Sequence, residues 1–192
     1  MLRSLLLAAL LPLLAQGPLA RAGEACGAEQ ALDALVGLVH ERLTLAEDVA
    51  RYKWNHQQAI EDLPRERVII ASLGRRAAAE GLPVPWAEAF FRAQIEASKA
   101  EQRVLFARWR TAGIARFRHV PDLIADTRPK LDQLTPRMIA ALAEVWPHLA
   151  DPGCGAWVQR QVAALGAEPS WHDPDALRVA TAPLAEVAQL AP

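Results

Sequence analysis

Little in this sequence could build a sheet. Val and Ile rarely alternate with polar residues, no run has a period of two, and neither Asn-Gly nor Asp-Gly occurs to turn a hairpin. Cysteine is scarce, with only Cys26 and Cys154. The five histidines, His40, His56, His119, His148 and His172, are scattered without ligand spacing, so no metal site is expected. A formal net charge of -1 gives no broad cationic face for nucleic acid or an acidic membrane, and any functional positive charge must be local. No Ser-His-Asp set and no activated thiol stands out, which argues against nucleophilic catalysis.

The beginning of the chain reads as an address. Arg3 supplies a positive charge, Leu5 to Leu14 is Leu and Ala interrupted only by Pro12, and Ala20-Arg21-Ala22 offers small residues where a signal peptidase reads. A membrane anchor is the competing reading, but a spanning helix needs roughly 20 apolar residues and this run is half that. The expectation is a cleavable secretory signal over 1–22, removed after Ala22, then a single domain over 23–192. That places the protein in the periplasm or outside the cell, with no membrane association after cleavage. Two cysteines in an oxidising compartment suggest one disulfide, Cys26 to Cys154; two free thiols are the alternative.

What is abundant is helix-forming: Ala, Leu, Arg, Glu and Gln. Leu32, Leu35, Val36, Val39, Leu43, Ala46, Val49 and Ala50 step by three and four, which predicts a long helix over 28–58. Asp62-Leu63-Pro64 predicts the start of a second, with Asp as cap and Pro tolerated in the first turn; it ends before Gly81 and Pro83. A third is expected over 85–111, and 113–121 reads as a loop. Shorter helices follow over 129–146, with Pro136 as a possible kink or break, over 154–165, and over 174–189. The predicted fold is all-α, a helical bundle with one long spine helix and additional C-terminal helices, its core over about 28–137 and a helical C-terminal part over about 138–192.

Three polar sets lie where an amphipathic helix could bury them. Arg42 and Lys53 are eleven residues apart, which at 100° per residue returns them to within about 20° of one face, about 16 Å apart along the axis. Two long side chains reaching toward each other could bracket a small dianion. Asp62, Arg65 and Glu66 share one face at the start of the second helix. Ser98 and Gln102 lie one turn apart on the third, with Gln94 a turn earlier. Each set alone has a plainer explanation: solvated charges, a bare N-cap, ordinary surface polar groups. Their occurrence together and in order gives them weight.

The ordered set resembles the all-helical chorismate mutases: an Arg with a Lys eleven positions on, then Asp62-x-x-Arg65-Glu66, then Gln94-Ile-x-Ala-Ser98-Lys-x-x-Gln102. The signal-like start and extra C-terminal helices are similar to the secreted subclass. The resemblance covers about 32–137 and weakens beyond Trp146. It implies that Arg42 binds a substrate carboxylate, and that Lys53 contacts a carboxylate and the ether oxygen whose bond breaks. Asp62 and Glu66 would hold the ring hydroxyl region, with Arg65 as a further cation. Ser98 would contact a carboxylate, and Gln102 would donate to the ether oxygen. Arg128, in Asp126-Thr127-Arg128-Pro129, matches an Arg that the subclass supplies after its third helix. Lys53 and Gln102 would be catalytic and the rest substrate-binding, with chorismate as substrate, no cofactor and a homodimer as a possible assembly. Some members carry Glu where Gln102 stands. A Glu must be protonated to donate, whereas an amide donates at any ordinary pH, so a broad pH profile is expected.

The family reaction is unimolecular and needs no acid, base or nucleophile, in keeping with what the sequence lacks. An acceleration of about a millionfold requires roughly 8 kcal/mol, and one preorganised donor contributes about 3–4 kcal/mol, so two donors plus selection of a compact conformer suffice. Two other readings remain at this stage. A non-catalytic exported helical binding or scaffold protein would scatter these side chains over separate solvent faces. A degenerate mutase would bind chorismate without turning it over.

Overall fold

The computed structural model describes residues 27–165, 172–173 and 175–187. Among them every regular element is helical: α1 (Glu29–Asn55), α2 (Leu63–Ala79), α3 (Val84–Thr111), a π-helical turn (Leu123–Thr127), α4 (Arg128–Ala150), α5 (Pro152–Leu165) and α6 (Ala176–Ala185). The stripe expected on α1 is buried, with Leu32, Leu35, Val36, Val39, Leu43, Ala46 and Ala50 inside. It meets Trp86, Phe90 and Phe91 of α3 and Leu134, Met138, Leu142 and Val145 of α4 in one continuous apolar core that extends to Leu177 and Leu184 of α6. Each such side chain, fully withdrawn from water, contributes about 1.5–3 kcal/mol. The first 26 residues, with the signal-like segment and Cys26, lie outside the described residues. No helix among the described residues is long and apolar enough to cross a membrane.

α1 ends three residues short of the expected Gln58. Gln57 has φ 52, a left-handed backbone that no α-helix accommodates. Around it the chain is tied elsewhere. Asn55 Nδ2 donates to the Phe117 carbonyl at 3.0 Å, and the Phe117 amide donates back to Asn55 Oδ1 at 2.9 Å. Trp54 Nε1 donates to the Ile114 carbonyl at 3.1 Å. The 113–121 stretch is thus a loop, as expected, but a pinned one: Phe117 packs edge-on to Trp109, 4.6 Å between centroids, and Arg51 sits 5.2 Å over its face.

α2 begins as predicted. Asp62 Oδ1 accepts from the Arg65 amide at 3.3 Å, and the Asp62 amide donates to Glu66 Oε1 at 3.0 Å, a reciprocal cap that satisfies amides a helix start leaves free. α2 crosses α3 closely at Gly74, where an added Cβ would fall 2.8 Å from Glu88 Cγ.

The C-terminal half departs more from expectation. α4 is unbroken through Pro136 and Pro147. Both prolines are exposed and each removes one main-chain bond, while Leu134, Met138, Ile139, Leu142 and Val145 on the inner face hold the helix against α1. α6 runs shorter than the expected 174–189. It lies on α3, where Trp86 Nε1 donates to the Pro183 carbonyl at 2.9 Å and Gln94 Nε2 to the Ala180 carbonyl at 2.7 Å.

Candidate active site

A pocket of about 790 Å³ opens between α1, α2, α3 and the start of α4, within the range of small-molecule sites. All eight side chains expected from the sequence to form the site line it: Arg42 and Lys53 from α1, Asp62, Arg65 and Glu66 from the start of α2, Ser98 and Gln102 from α3, and Arg128 from the start of α4. Val49, Ile69, Phe91 and Met138 supply apolar wall. All of them belong to one chain. The scaffold reading required these residues on separate solvent faces, and they share one cavity instead.

Local structure explains the placement. Arg42 and Lys53 project from the same side of α1, as their spacing requires. Asp62, Arg65 and Glu66 are brought in by the cap of α2. Arg128 owes its position to the π-helical turn before it. Asp122 Oδ1 accepts from the Ile124 and Ala125 amides, each at 2.8 Å, and the Asp122 amide donates to Asp126 Oδ2 at 2.7 Å. Those amide bonds hold the Asp122 carboxyl below the usual carboxylate range. π-Helical turns are rare and concentrate at functional positions.

The electrostatics are lopsided toward cation. Burial pulls the Arg42 guanidinium down to about 10, still fully charged at neutral pH. Its Nε is buried and finds no hydrogen-bond partner among the described residues. A partly desolvated cation with a buried, unused donor is better satisfied by an anion than by apolar wall. Lys53 Nζ donates to the Ile60 carbonyl at 2.5 Å. Burial lowers its pKa, Asp62 and Glu66 raise it, Lys99 and Arg128 add to the lowering, and the net direction is down. Gln102 is buried, with its Nε2 donating to Ser98 Oγ at 3.2 Å and its Oε1 unpartnered. One amide hydrogen therefore remains free for a ligand.

Two features escaped the sequence. Lys99 is 5% exposed and lines the pocket, with Nζ 3.1 Å from Glu66 Oε2 and 2.7 Å from Glu96 Oε1. The i,i+3 spacing to Glu96 was visible in the sequence, whereas Glu66 lies on another helix. Gln94, placed on the face of Ser98 and Gln102 from its spacing, is instead fully buried against α6 and does not line the pocket. Eight residues at 100° drift about 80° around a helix, enough to turn Gln94 out of the cavity that Gln102 faces.

Fold and pocket together define an all-helical protein built to hold a small, multiply charged anion in one protomer's core. Residues 31–103 match the family model for chorismate mutase type II. The chain is 34% identical over 143 residues to a secreted chorismate mutase of Mycobacterium tuberculosis, covering 74% of this chain and 69% of that one. It is 32% identical over 131 residues to the secreted chorismate mutase of Mycolicibacterium smegmatis, covering 68% and 72%. A crystal structure of chorismate mutase from Burkholderia thailandensis superposes with a TM-score of 0.70 at 41% identity, over 81% of this chain and 99% of that one. The chain belongs to the chorismate mutase family.

Proposed function

We propose that this protein is an exported isomerase that converts chorismate to prephenate. The observation that carries the reading is Arg42: a half-buried arginine whose buried Nε has no partner among the described residues, sharing its pocket with Lys53, Arg65 and Arg128. Such a site is incomplete without an anion, and chorismate is a dianion. Arg42 and Arg128 grip its two carboxylates, where the planar fork of guanidinium matches and its charge persists. Gripped at both ends, the flexible substrate is held in the compact, chair-like conformer in which the reacting carbons meet. Ser98 adds a hydroxyl donor to a carboxylate. Asp62 and Glu66 accept from the ring hydroxyl, with Arg65 beside them.

The step is an intramolecular rearrangement. The ether C–O bond breaks while a C–C bond forms, the electron pairs shift around the six-membered array, and no atom or proton leaves. As the C–O bond stretches, negative charge grows on the oxygen. Lys53 and the free amide hydrogen of Gln102 meet that charge, stabilising the transition state more than the ground state.

The same reading includes a signal peptide over 1–22, a single mature domain over 23–192, residence in the periplasm or outside the cell, and a Cys26–Cys154 disulfide. Support for the pairing comes from the neighbour of Cys26: a Cβ built on Gly27 would lie 3.7 Å from the His148 ring, near the end of α4 and six residues before Cys154. Purified chain 23–192 should consume chorismate, followed by loss of its absorbance. Lys53→Ala should lower kcat by at least about a hundredfold, the scale of one removed oxyanion donor. Near-normal turnover by that variant would refute the assignment.

A further inference from the structure

We propose that Lys99 is a positioning residue of this site, which neutralises Glu66 and fixes its carboxylate so that an anionic substrate can bind beside it. The inference rests on Glu66 facing substrate as proposed above. A carboxylate in a dianion pocket poses a problem: ionised and uncompensated, it repels the ligand, and protonated, it loses acceptor capacity for a ring hydroxyl. Lys99 resolves it from the neighbouring helix. Its Nζ lies 3.1 Å from Glu66 Oε2, while Glu66 Oε1 accepts the Asp62 amide at 3.0 Å. Each oxygen thus has one fixed partner and a remaining lone pair, and the rotamer is set from two elements at once.

Lys99 is itself anchored on α3 by Glu96 at 2.7 Å. That second carboxylate is half-exposed and reaches outward, so Lys99 is held in place without being drawn from the pocket. The charged groups acting on Glu66 are Lys99 from α3 and Lys53 from α1, with the Asp62 amide at its own helix start. Desolvation pushes the Glu66 carboxyl up, but the Asp62 amide and Lys99 outweigh it, and the group sits below the usual carboxylate range. Desolvation likewise pulls Lys99 down, and Glu96 with Glu66 outweighs it, holding the ammonium above the ordinary lysine range. The pair is ionised on both sides across neutral pH.

Lys99→Met should raise KM for chorismate about tenfold, the order of one charge-assisted hydrogen bond, with kcat falling less than about threefold. Lys99→Arg should recover most of the loss. In a Glu66→Gln background Lys99→Met should add little, because Lys99 acts through that carboxylate. A KM effect of equal size in both backgrounds, or an unchanged KM in Lys99→Met, would overturn the proposal. Lys99→Gln, which is one atom shorter and uncharged but keeps a polar donor, serves if the Met variant does not fold. A carbon-13 NMR titration of Glu66 completes the test without turnover: its pKa should rise in Lys99→Gln, and an unmoved value refutes the pairing. If wild-type protein leaves chorismate unchanged while that pKa does move, the function assignment has failed and the positioning role has not.

Discussion

Arg42 sets burial against charge. Its guanidinium is desolvated and its Nε lacks a partner among the described residues, which makes the charge costly to the fold. Arg42→Met is expected to raise the melting temperature of the ligand-free protein by a few degrees, on the order of 1 kcal/mol, while abolishing chorismate turnover; calorimetry and the absorbance assay read the two effects. Arg42→Lys keeps the charge but loses the bidentate fork, and kcat/KM should fall by about a hundredfold or more. With Gln102 as the proposed donor to the ether oxygen, the pH behaviour follows. An amide does not titrate, so turnover should be flat between about pH 5 and 8. Gln102→Glu should convert that plateau into activity present at low pH and lost as the carboxyl ionises, measured as kcat against pH. On the alkaline side, the lowered Lys53 pKa means its charge, and turnover with it, should be lost at lower pH than for an ordinary lysine. At this scale the sequence was informative because folding a dianion demands cations at helical spacing. Lys99 stood in the motif without a role because its partner Glu66 is 33 residues away, and spacing within one helix carries nothing about which helix lies across from it.

Among the elements, the ones that face the substrate are held by side chains at their ends. The loop after α3 hangs on Asn55, whose amide makes two bonds to Phe117. Asn55→Ala leaves that backbone unpaired and should cost about 1–3 kcal/mol, visible as a lower urea midpoint with an unchanged slope. α1, α2 and α3 were legible because apolar period, an Asp-x-Pro start and a Gly-x-Pro stop all agree locally. Where sequence and structure part, tertiary contact wins. α1 stops at Asn55 because that side chain is bound 62 residues away, and α4 runs through two prolines because its inner face is packed against α1 over its length. The π-helical turn that delivers Arg128 had no local signature. It follows from the mutual bonds of Asp122 and Asp126, which satisfy the amides that a regular helix start would leave open.

The molecule as a whole places a costly cationic cavity inside a core large enough to hold it. α6 lies against a different face of α3 from the one that lines the pocket, with Gln94 and Trp86 donating to its carbonyls, so the helix that carries Ser98, Lys99 and Gln102 is held from behind the site by the C-terminal helix. Leu177→Ala, on α6 and almost wholly buried in the shared core, should cost about 2–5 kcal/mol of stability with KM little changed, separating support of the fold from binding. The sequence showed the first three helices but not this contact, because spacing alone puts Gln94 on the face of Ser98 and Gln102 and says nothing of the α6 carbonyl it meets. The central claim is that a cationic pocket built within one chain binds and rearranges a dianion. Its most direct test is single-turnover conversion of chorismate by excess purified protein, with prephenate quantified. Complete conversion, slowed at least about a hundredfold in Lys53→Ala and slowed in Gln102→Ala, is what the account requires; chorismate recovered intact from the wild-type protein would contradict it.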